Sequence, residues 1–403
     1  MAGNNLTVEQ SYQFMTNLYE QAVGKTTPIA VVDTGSFVSV GQVVLKSGFE
    51  QTLNAIGVVL NRTIFSIRPY AAKFKGINVD TERFGGMRRK INYIDTTPEG
   101  SAPYTLVDGQ SVDMYKVNKP KVLQMNFYGS NAYQRHITIM ETQLTTAFND
   151  AAEFGRFIGG IITNMTDTIE QDRENESRAT LINMIAGKYL ADTSNAVNVL
   201  QAYYDETGVE LTPATMYAPN NYENFVKWFY SYVNTLCDSL SERSYKYHMN
   251  VTGKEIARHT PENRMKAYMS AGMLNKIAAS VLSSVFNEER LKMIDFEKVV
   301  YWQNINEPTK ITATPTYLNV TDGSLVTAES AVNIENMLGM IFDEEALGIN
   351  IKDTAVLSSP VNASGRYYNL FYHYHMQYIN DFTENCVIFY AGAVNRSSKT
   401  VKA

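Results

Sequence analysis

The stretch that decides the fold is EFGRFIGGIITNMTDTIEQDRENESRATLINMIAGK, residues 153–188. Its apolar side chains recur at the spacing of one helix face: Phe154, Phe157, Ile158, Ile161, Met165, Ile169, Leu181, Met184 and Ile185. A single helix of about 38 residues would be about 57 Å long, well above the average helix length. Such a helix is expected to pack against more than one lobe of the protein. The alternative is two helices broken near Glu174 and Asn175.

The composition is that of a globular protein. At about 150 residues per domain, 403 residues predict two to three lobes. The net charge of −6 argues against tight nucleic-acid binding over the whole surface, because phosphate contact needs concentrated Lys and Arg. The 26 Tyr residues suit extensive protein–protein contact, since tyrosine has an apolar body and a hydroxyl that tolerates water.

Signals for secretion, membrane insertion and catalysis are missing from the sequence. No basic and then apolar leader begins the chain, and no apolar run reaches the length of a membrane span. Cys237 and Cys386 fit a reducing compartment without disulfides. Gly24-Lys25-Thr26 resembles the end of a phosphate-binding loop, but Tyr19 stands where that motif needs glycine. We therefore expect a soluble protein made in the cytosol that has no membrane partner, is no enzyme and has no cofactor.

Two histidines near the end of the chain are the remaining candidates for metal chemistry. In a strand, His373 and His375 point to the same face and could offer two imidazoles to one metal, with Asp381 or Glu384 as a third ligand. The competing interpretation is a polar or interface face opposite an apolar one formed by Tyr372, Tyr374, Met376 and Tyr378. We favour the second interpretation, and with it no metal site.

Before the long helix the chain changes character three times. Phe14, Leu18 and Ala22 share a predicted helix face, whereas residues 29–44 are small, β-branched or glycine and predict an extended arm with little core. Residues 47–62 then predict a helix and residues 64–67 a strand.

The segment 73–121 is too rich in Gly and Pro, and too long, for an ordinary loop. Its short β-propensity runs predict a two-stranded excursion projecting from the body and resting on a neighbouring subunit. Its basic residues are Arg83, Arg88, Arg89, Lys90, Lys116, Lys119 and Lys121. They are interpreted either as a solvated loop or as an electrostatic contact with an acidic surface of an adjacent copy. Nucleic-acid contact is disfavoured, because no aromatic stacking platform interleaves the run.

After the long helix the sequence predicts a mixed lobe. Residues 222–240 and 274–286 predict helices, and residues 261–271 predict a short helix with Thr260 as its cap and Pro261 at its first position. Strands are predicted for 337–342, 367–378 and 387–391.

Six stretches spread over the chain carry a family resemblance. They are FEQT at 49–52, RPYAAKF at 68–74, LTTAF at 144–148, FIGGII at 157–162, GRYYNLFYHYH at 365–375 and VIFYAG at 387–392. Together with the order of arm, excursion, long helix and mixed lobe, they resemble the major capsid proteins of tailed bacteriophages, in particular those of small podophages of the picovirus type.

The resemblance implies an α+β fold of the HK-97 type. Its parts would be an N-terminal arm at 1–46, a peripheral domain with a spine helix at 47–72 and 136–222, an extended β-hairpin loop at 73–135, an axial domain at 223–345 and a return to the peripheral domain at 346–403. An immunoglobulin-like domain that some relatives carry after this point is expected to be absent. Nothing in the sequence identifies a pair for the covalent crosslink of some members.

The resemblance also implies the function and the partners. The protein would be a virion component that self-assembles, in the host cytoplasm, into hexamers and pentamers of an icosahedral or prolate head around double-stranded DNA. Portal and scaffolding proteins would be partners, and the DNA would be enclosed without sequence-specific contact. The basic residues of the excursion would make intersubunit contacts. The alternatives are an encapsulin-like compartment of the same fold and, less favoured, a metal-dependent enzyme that uses His373 and His375.

Overall fold

The computed structural model describes residues 8–23, 31–46, 88–94, 119–127, 130–147, 151–280 and 296–396, with a few isolated positions between 55 and 115. The helices are α1 Val8–Val23, α2 Thr34–Lys46, α3 Glu141–Ala147, α4 Ala151–Ala191, α5 Val199–Thr207, α6 Tyr222–Ser241 and α7 Ala271–Ser280. The strands are β1 Arg88–Tyr93, β2 Val122–Phe127, β3 Ser130–Met140, β4 Ala196–Asn198, β5 Met265–Ser270, β6 Phe296–Val299, β7 Ile311–Ala313, β8 Thr316–Leu318, β9 Leu325–Thr327, β10 Val332–Ile334, β11 Met337–Asp343, β12 Leu347–Ser358, β13 Tyr367–Asn380 and β14 Cys386–Tyr390. The predicted helix at 47–62, apart from Ala55, and the strand at 64–67 lie outside the described residues.

Helix α4 is continuous over 41 residues, so the prediction of one long helix is confirmed and the break near Glu174 does not occur. Its charged middle is bridged along the helix by ion pairs, including Arg178 with Glu174 four residues earlier. Ile161, Met165 and Ile169 belong to a first core, which also contains residues of α1, α2 and β13. Leu181, Met184 and Ile185 belong to another core, so α4 joins two lobes as expected.

The first core lies on one face of an antiparallel three-stranded sheet in the order β12-β13-β3. Strand β13 alternates as its sequence predicted, with Tyr368, Leu370, Tyr372, Tyr374 and Met376 buried in this core. The strand itself runs to Asn380, slightly beyond the predicted end.

The arm predicted to be extended contains helix α2, which corrects that prediction. Phe37, Val40 and Val44 are buried on one side of α2, in the core shared with α1. The Asp33 Oδ1 atom accepts a hydrogen bond of 2.7 Å from the Ser36 backbone N–H, a cap that starts the helix. Tertiary burial and this cap outweigh the low helix propensity of Gly and Val.

A five-stranded sheet in the order β4-β14-β11-β5-β6 forms the centre of the second lobe. One face packs on a second core with α5, α6 and α7, and the other face packs on a third core with the C-terminal half of α4. All seven residues of β11 are buried. The helix predicted for 222–240 is confirmed as α6.

The short helix predicted at 261–271 is wrong. A 3-10 turn at Glu262–Arg264 leads directly into strand β5, which pairs with β11 in the middle of the sheet. The Thr260 hydroxyl donates a 2.9 Å hydrogen bond to Asp343 Oδ2 instead of capping a helix. The Thr260-Pro261 pattern is a local signal for the start of a helix. The pairing of β5 with β11 outweighs it.

The predicted division into peripheral and axial domains stays a prediction, and the packing describes the segments on either side of its boundaries. Helices α5 and α6, which the predicted boundary between residues 222 and 223 separates, both bury side chains in the second core. Within the segment 346–403, β14 is hydrogen-bonded between β4 and β11 in the five-stranded sheet. In the described part of the same segment, β12 and β13 lie in the three-stranded sheet.

Gly187 marks a close approach between α4 and the side chain of Phe382. A Cβ atom on Gly187 would lie 2.7 Å from two ring carbons of Phe382, which is itself buried. We expect Gly187→Ala to destabilise the protein by about 1–3 kcal/mol through overpacking, seen as a lower midpoint in thermal unfolding. The control is Gly160→Ala in the same helix, where a Cβ meets nothing within 4 Å and the gain is up to about 1 kcal/mol. A rise in midpoint for both variants would contradict this.

Candidate functional site

The described part of the excursion is a two-stranded antiparallel hairpin. Strands β1 and β2 pair from Arg88 opposite Phe127 to Tyr93 opposite Val122. The pairing continues beyond β1, where the Ile94 N–H donates a 3.0 Å hydrogen bond to the Lys121 carbonyl oxygen. No residue of these two strands belongs to the three cores. The hairpin is therefore an appendage of the lobes.

Strand alternation gives the hairpin two different faces. Arg89, Ile91 and Tyr93 are exposed on the outward face, with 50% of Ile91 and 69% of Tyr93 accessible to solvent. The side chains of Lys90 and Asn92, on the opposite face, turn towards the body of the same chain. The basic residues of the hairpin are therefore not equivalent.

Lys90 is held by three carboxylates of its own chain. Its Nζ lies 2.8 Å from Asp381 Oδ2 and 3.1 Å from Glu345 Oε2, and it also contacts Glu384 Oε1. The Asp381 side chain has no exposed surface and Glu384 is nearly buried. We call Glu345, Asp381 and Glu384 the acidic seat. Short charge-assisted contacts of this kind, shielded from water, are stronger than ordinary surface ion pairs.

Two turns build the seat: the turn between β13 and β14 carries Asp381 and Glu384, and the turn between β11 and β12 carries Glu345. The Asp381 backbone N–H donates to the Ala346 carbonyl oxygen at 2.8 Å, and Asp381 Oδ1 accepts hydrogen bonds from the Thr383 N–H at 2.9 Å and hydroxyl at 2.6 Å. Arg258 Nη1 lies 3.1 Å from Glu384 Oε1 and 3.3 Å from Asn92 Oδ1. Asp381 and Glu384 are thus held by contacts other than those with Lys90.

Burial and neighbouring charges set the protonation of this cluster. Burial alone would lower the pKa of Lys90, but the Asp381 and Glu384 carboxylates outweigh it and raise that pKa above its usual range. Burial raises the pKa of Glu384 more than Lys90 and Arg258 lower it. Burial also acts to raise the pKa of Glu345, but Lys90 and Arg264 lower it overall. Lys90 is therefore a cation at neutral pH, and Glu384 binds a proton more readily than Glu345.

The structure places the predicted contact residues in different environments. Arg83, Lys116 and the side chain of Arg88 lie outside the described residues. Arg89, Lys119 and Lys121 are exposed and make no ion pair within the part of the chain that the structure describes. Lys90 differs from them, because its ammonium group is bound within its own chain, and its predicted intersubunit contact stays a prediction. The sequence does not identify the acidic seat as the partner of Lys90, because 291 positions separate Lys90 from Asp381.

His373 and His375 lie on the face of β13 opposite the first core, His375 being exposed. Tyr372, Tyr374 and Met376 are buried as predicted. After Met376 the alternation shifts by one residue, since Gln377 is buried as well, and Tyr378 is therefore exposed. Asp381 and Glu384, the candidate third ligands of the disfavoured metal site, bind Lys90. Among the described residues, no group of three or more His, Cys, Asp and Glu side chains is placed to hold a metal ion. Over the same ranges, no helix combines the length and the apolarity needed to span a bilayer.

Known proteins resemble the chain at two levels. A family model described as Phi29-like phage major capsid protein matches residues 14–390. The fold is similar to a chain in the capsid structure of Staphylococcus phage Andhra, with 12% identity and a TM-score of 0.54 over 82% of this chain and 86% of that one. It is also similar to a chain in the structure of the head fiber and inner core protein gp22 of native bacteriophage P68, with 12% identity and a TM-score of 0.51 over 81% and 86%. No curated protein sequence matches. At this identity the structural similarities establish the fold alone.

Proposed function

The chain belongs to the Phi29-like phage major capsid proteins, and from this premise we propose that its basic hairpin is the contact by which one subunit binds the next. As a capsid protein it is a structural component of the virion, and a capsid is built from many copies. The supporting observation is the outward face of the hairpin. Its charged and apolar side chains, led by Arg89 and Tyr93, are exposed, and these two make no ion pair or hydrogen bond with the residues of their own chain that the structure describes.

The remaining parts of the proposal concern the shell as a whole. The subunits form hexamers and pentamers of an icosahedral or prolate head, with α4 as the spine helix between a peripheral lobe and an axial lobe. Assembly takes place in the host cytoplasm with scaffolding and portal proteins as partners. The packaged double-stranded DNA is enclosed without sequence-specific contact, and the protein performs no catalysis. The net charge of −6 supports a wall that does not grip its DNA.

Assembly is the direct test of this function. Purified protein, alone or with a scaffolding protein, is expected to produce shells or rings in electron micrographs. A protein that remained monomeric under all these conditions would overturn the proposal. The matched measurement is analytical ultracentrifugation of the same samples, which separates subunits from closed shells in solution.

Charge reversal on the outward face should block assembly without unfolding the subunit. We expect Arg89→Glu to lower the yield of shells at least about tenfold, because a like charge facing an acidic partner surface costs several kcal/mol. The circular dichroism and melting midpoint of the subunit should stay unchanged, since Arg89 is exposed and unpaired among the described residues. Arg89→Lys keeps the charge and should assemble. Normal shell yield from Arg89→Glu would count against the contact.

A further inference from the structure

The described strands of the hairpin are attached to their subunit mainly by polar contacts, beside one buried apolar side chain, Leu123, which lies opposite Asn92. Besides Lys90 and the seat, the contacts of the described strands with the body include Asn92 with Arg258, the Thr383 hydroxyl with Met125 Sδ at 3.4 Å, and Gln377 Nε2 with the Phe127 carbonyl oxygen at 3.4 Å. Among the hairpin side chains that the structure describes, Lys90 is the one that brings a full charge into this interface. We therefore expect the orientation of the hairpin to depend on this half-buried cation.

We propose that Lys90 is a positioning residue whose ion pairs with the acidic seat form a latch between the hairpin and its own subunit. The outward face of the hairpin begins at Arg89, the neighbour of Lys90 in β1. By holding Lys90, the latch fixes the direction in which this face meets the next copy. This role in assembly rests on the hairpin contact proposed above. The latch itself is a property of the isolated subunit and can be measured there.

Removing the cation should open the latch because the seat cannot be satisfied without it. Asp381 and Glu384 are both buried, and Arg258 contacts Glu384 from the other side but not Asp381. Without Lys90, the carboxylates of the seat would repel one another in a site poor in water. A detached two-stranded hairpin is marginal on its own, so its backbone amides would lose protection from exchange.

Protonation of the carboxylates should weaken the latch. The cations facing it are Lys90, Arg258 and Arg264, and the carboxylates are Asp343, Glu344, Glu345, Asp381 and Glu384. In the closed latch Lys90 lowers the pKa of both Glu384 and Glu345, although burial keeps the pKa of Glu384 above its ordinary value. Protonating either carboxylate removes its attraction for Lys90 and so favours the open state. Because the pKa of Glu384 is raised and that of Glu345 is lowered, acid should begin to open the latch as Glu384 takes up its proton, before Glu345 does.

Hydrogen exchange of the unassembled full chain tests the latch. In Lys90→Met, peptides covering 88–94 and 122–127 should exchange at least about tenfold faster than in the wild type. The matched control is Arg89→Met, one residue away on the outward face, which should exchange like the wild type. Unchanged protection of the hairpin in Lys90→Met would overturn the proposal.

Two milder variants keep the test decisive if Lys90→Met fails to fold. Glu345, whose side chain is 49% exposed at the rim of the seat, can be replaced by Gln without disturbing a core. Glu345→Gln and Glu384→Gln each remove one carboxylate that pairs with Lys90, so each should speed exchange of the hairpin. No change in either variant would overturn the latch. Exchange in the wild type should also change little between 0.1 and 1 M NaCl, since buried pairs are weakly screened.

Assembly separates failure of the latch from failure of the intersubunit contact. If Lys90→Met exchanges fast and also assembles poorly, while Arg89→Glu folds but does not assemble, both proposals stand. If Arg89→Glu assembles normally, the contact role is lost, and fast exchange in Lys90→Met would still establish the latch. If Lys90→Met exchanges fast yet gives normal shells, the positioning role is overturned.

Discussion

Replacing Arg178 by alanine is expected to lower the free energy of unfolding by about 3–5 kcal/mol, the scale for breaking a buried ion pair. The guanidinium group lies midway along α4, with Nη2 2.6 Å from Glu174 Oε1. Its central carbon is 3.8 Å from the centre of the Tyr301 ring and 4.9 Å from that of Phe74, and Nη1 donates to the Tyr301 carbonyl oxygen. The side chain thus ties the start of the excursion and a loop of the second lobe to the long helix.

Denaturant unfolding of Arg178→Ala measures this loss, and two variants provide controls. Arg178→Lys keeps the charge but loses the planar group that stacks on both rings, so it should recover only part of the stability. Lys227→Ala removes an exposed pair with Glu223 on α6 and should cost about 0.3–0.5 kcal/mol. An Arg178→Ala protein within about 1 kcal/mol of the wild type would show that the clamp between helix and loop adds little.

The second large effect is expected at Lys188, whose side chain has no exposed surface. Its Nζ lies 2.7 Å from Asp192 Oδ2, at the end of α4. Asp192 Oδ1 also accepts from Ser194 Oγ at 2.9 Å and from Asn195 Nδ2 at 3.0 Å. Lys188→Ala leaves the Asp192 carboxylate buried without its cation, and we expect a loss of about 3–5 kcal/mol at pH 7. Lys188→Met with Asp192→Asn, which removes both charges, should restore most of the stability.

The pH dependence of this loss has a defined sign. In the wild type, burial acts to raise the pKa of Asp192, but Lys188 and the surrounding hydrogen bonds lower it below the ordinary 3.8. The pair therefore stabilises the fold above about pH 4, and this is lost only as pH falls through the folded value. In Lys188→Ala the lowering effect of Lys188 is lost while burial and the bonds from Ser194 and Asn195 remain, so the pKa of Asp192 rises above its wild-type value. The stability gap between wild type and variant should narrow from pH 7 to pH 4, and a constant gap would contradict the assignment.

The sequence predicts best those elements whose pattern is long and regular. The apolar positions from Ile161 to Ile185 predicted α4, and the alternation from Tyr368 to Met376 predicted β13. Shorter segments were decided by their partners. The Val-rich arm becomes α2 because Phe37 and Val44 find α1, and the segment after Pro261 becomes β5 because β11 pairs with it. Local propensity is weaker than either form of burial.

The candidate site could be predicted only in part, for a similar reason. The basic run and the two-stranded excursion are visible in the sequence, as are Asp381 and Glu384, which the sequence offers as candidate metal ligands beside His375. What joins these carboxylates to Lys90 is the position of the β13–β14 turn after folding. No spacing rule connects residues almost three hundred positions apart. Neighbouring residues such as Arg89 and Lys90 point to opposite faces only if they lie in a strand. The different environments of the two side chains therefore follow from the sequence only after residues 88–93 are assigned to a strand.

The absence of hairpin residues from the three cores has an evolutionary consequence. Mutations on its exposed outward face should be nearly neutral for folding. If this face makes the subunit contact proposed above, selection acts on it through that contact. Each change there then alters two surfaces of a shell built from identical chains, and a second change far away in sequence can compensate for it. The opposite face, which carries Lys90, lacks this freedom because its partners are in the same chain. Under the proposed contact, a capsid lineage can diversify its subunit contacts while it inherits the same body of the subunit.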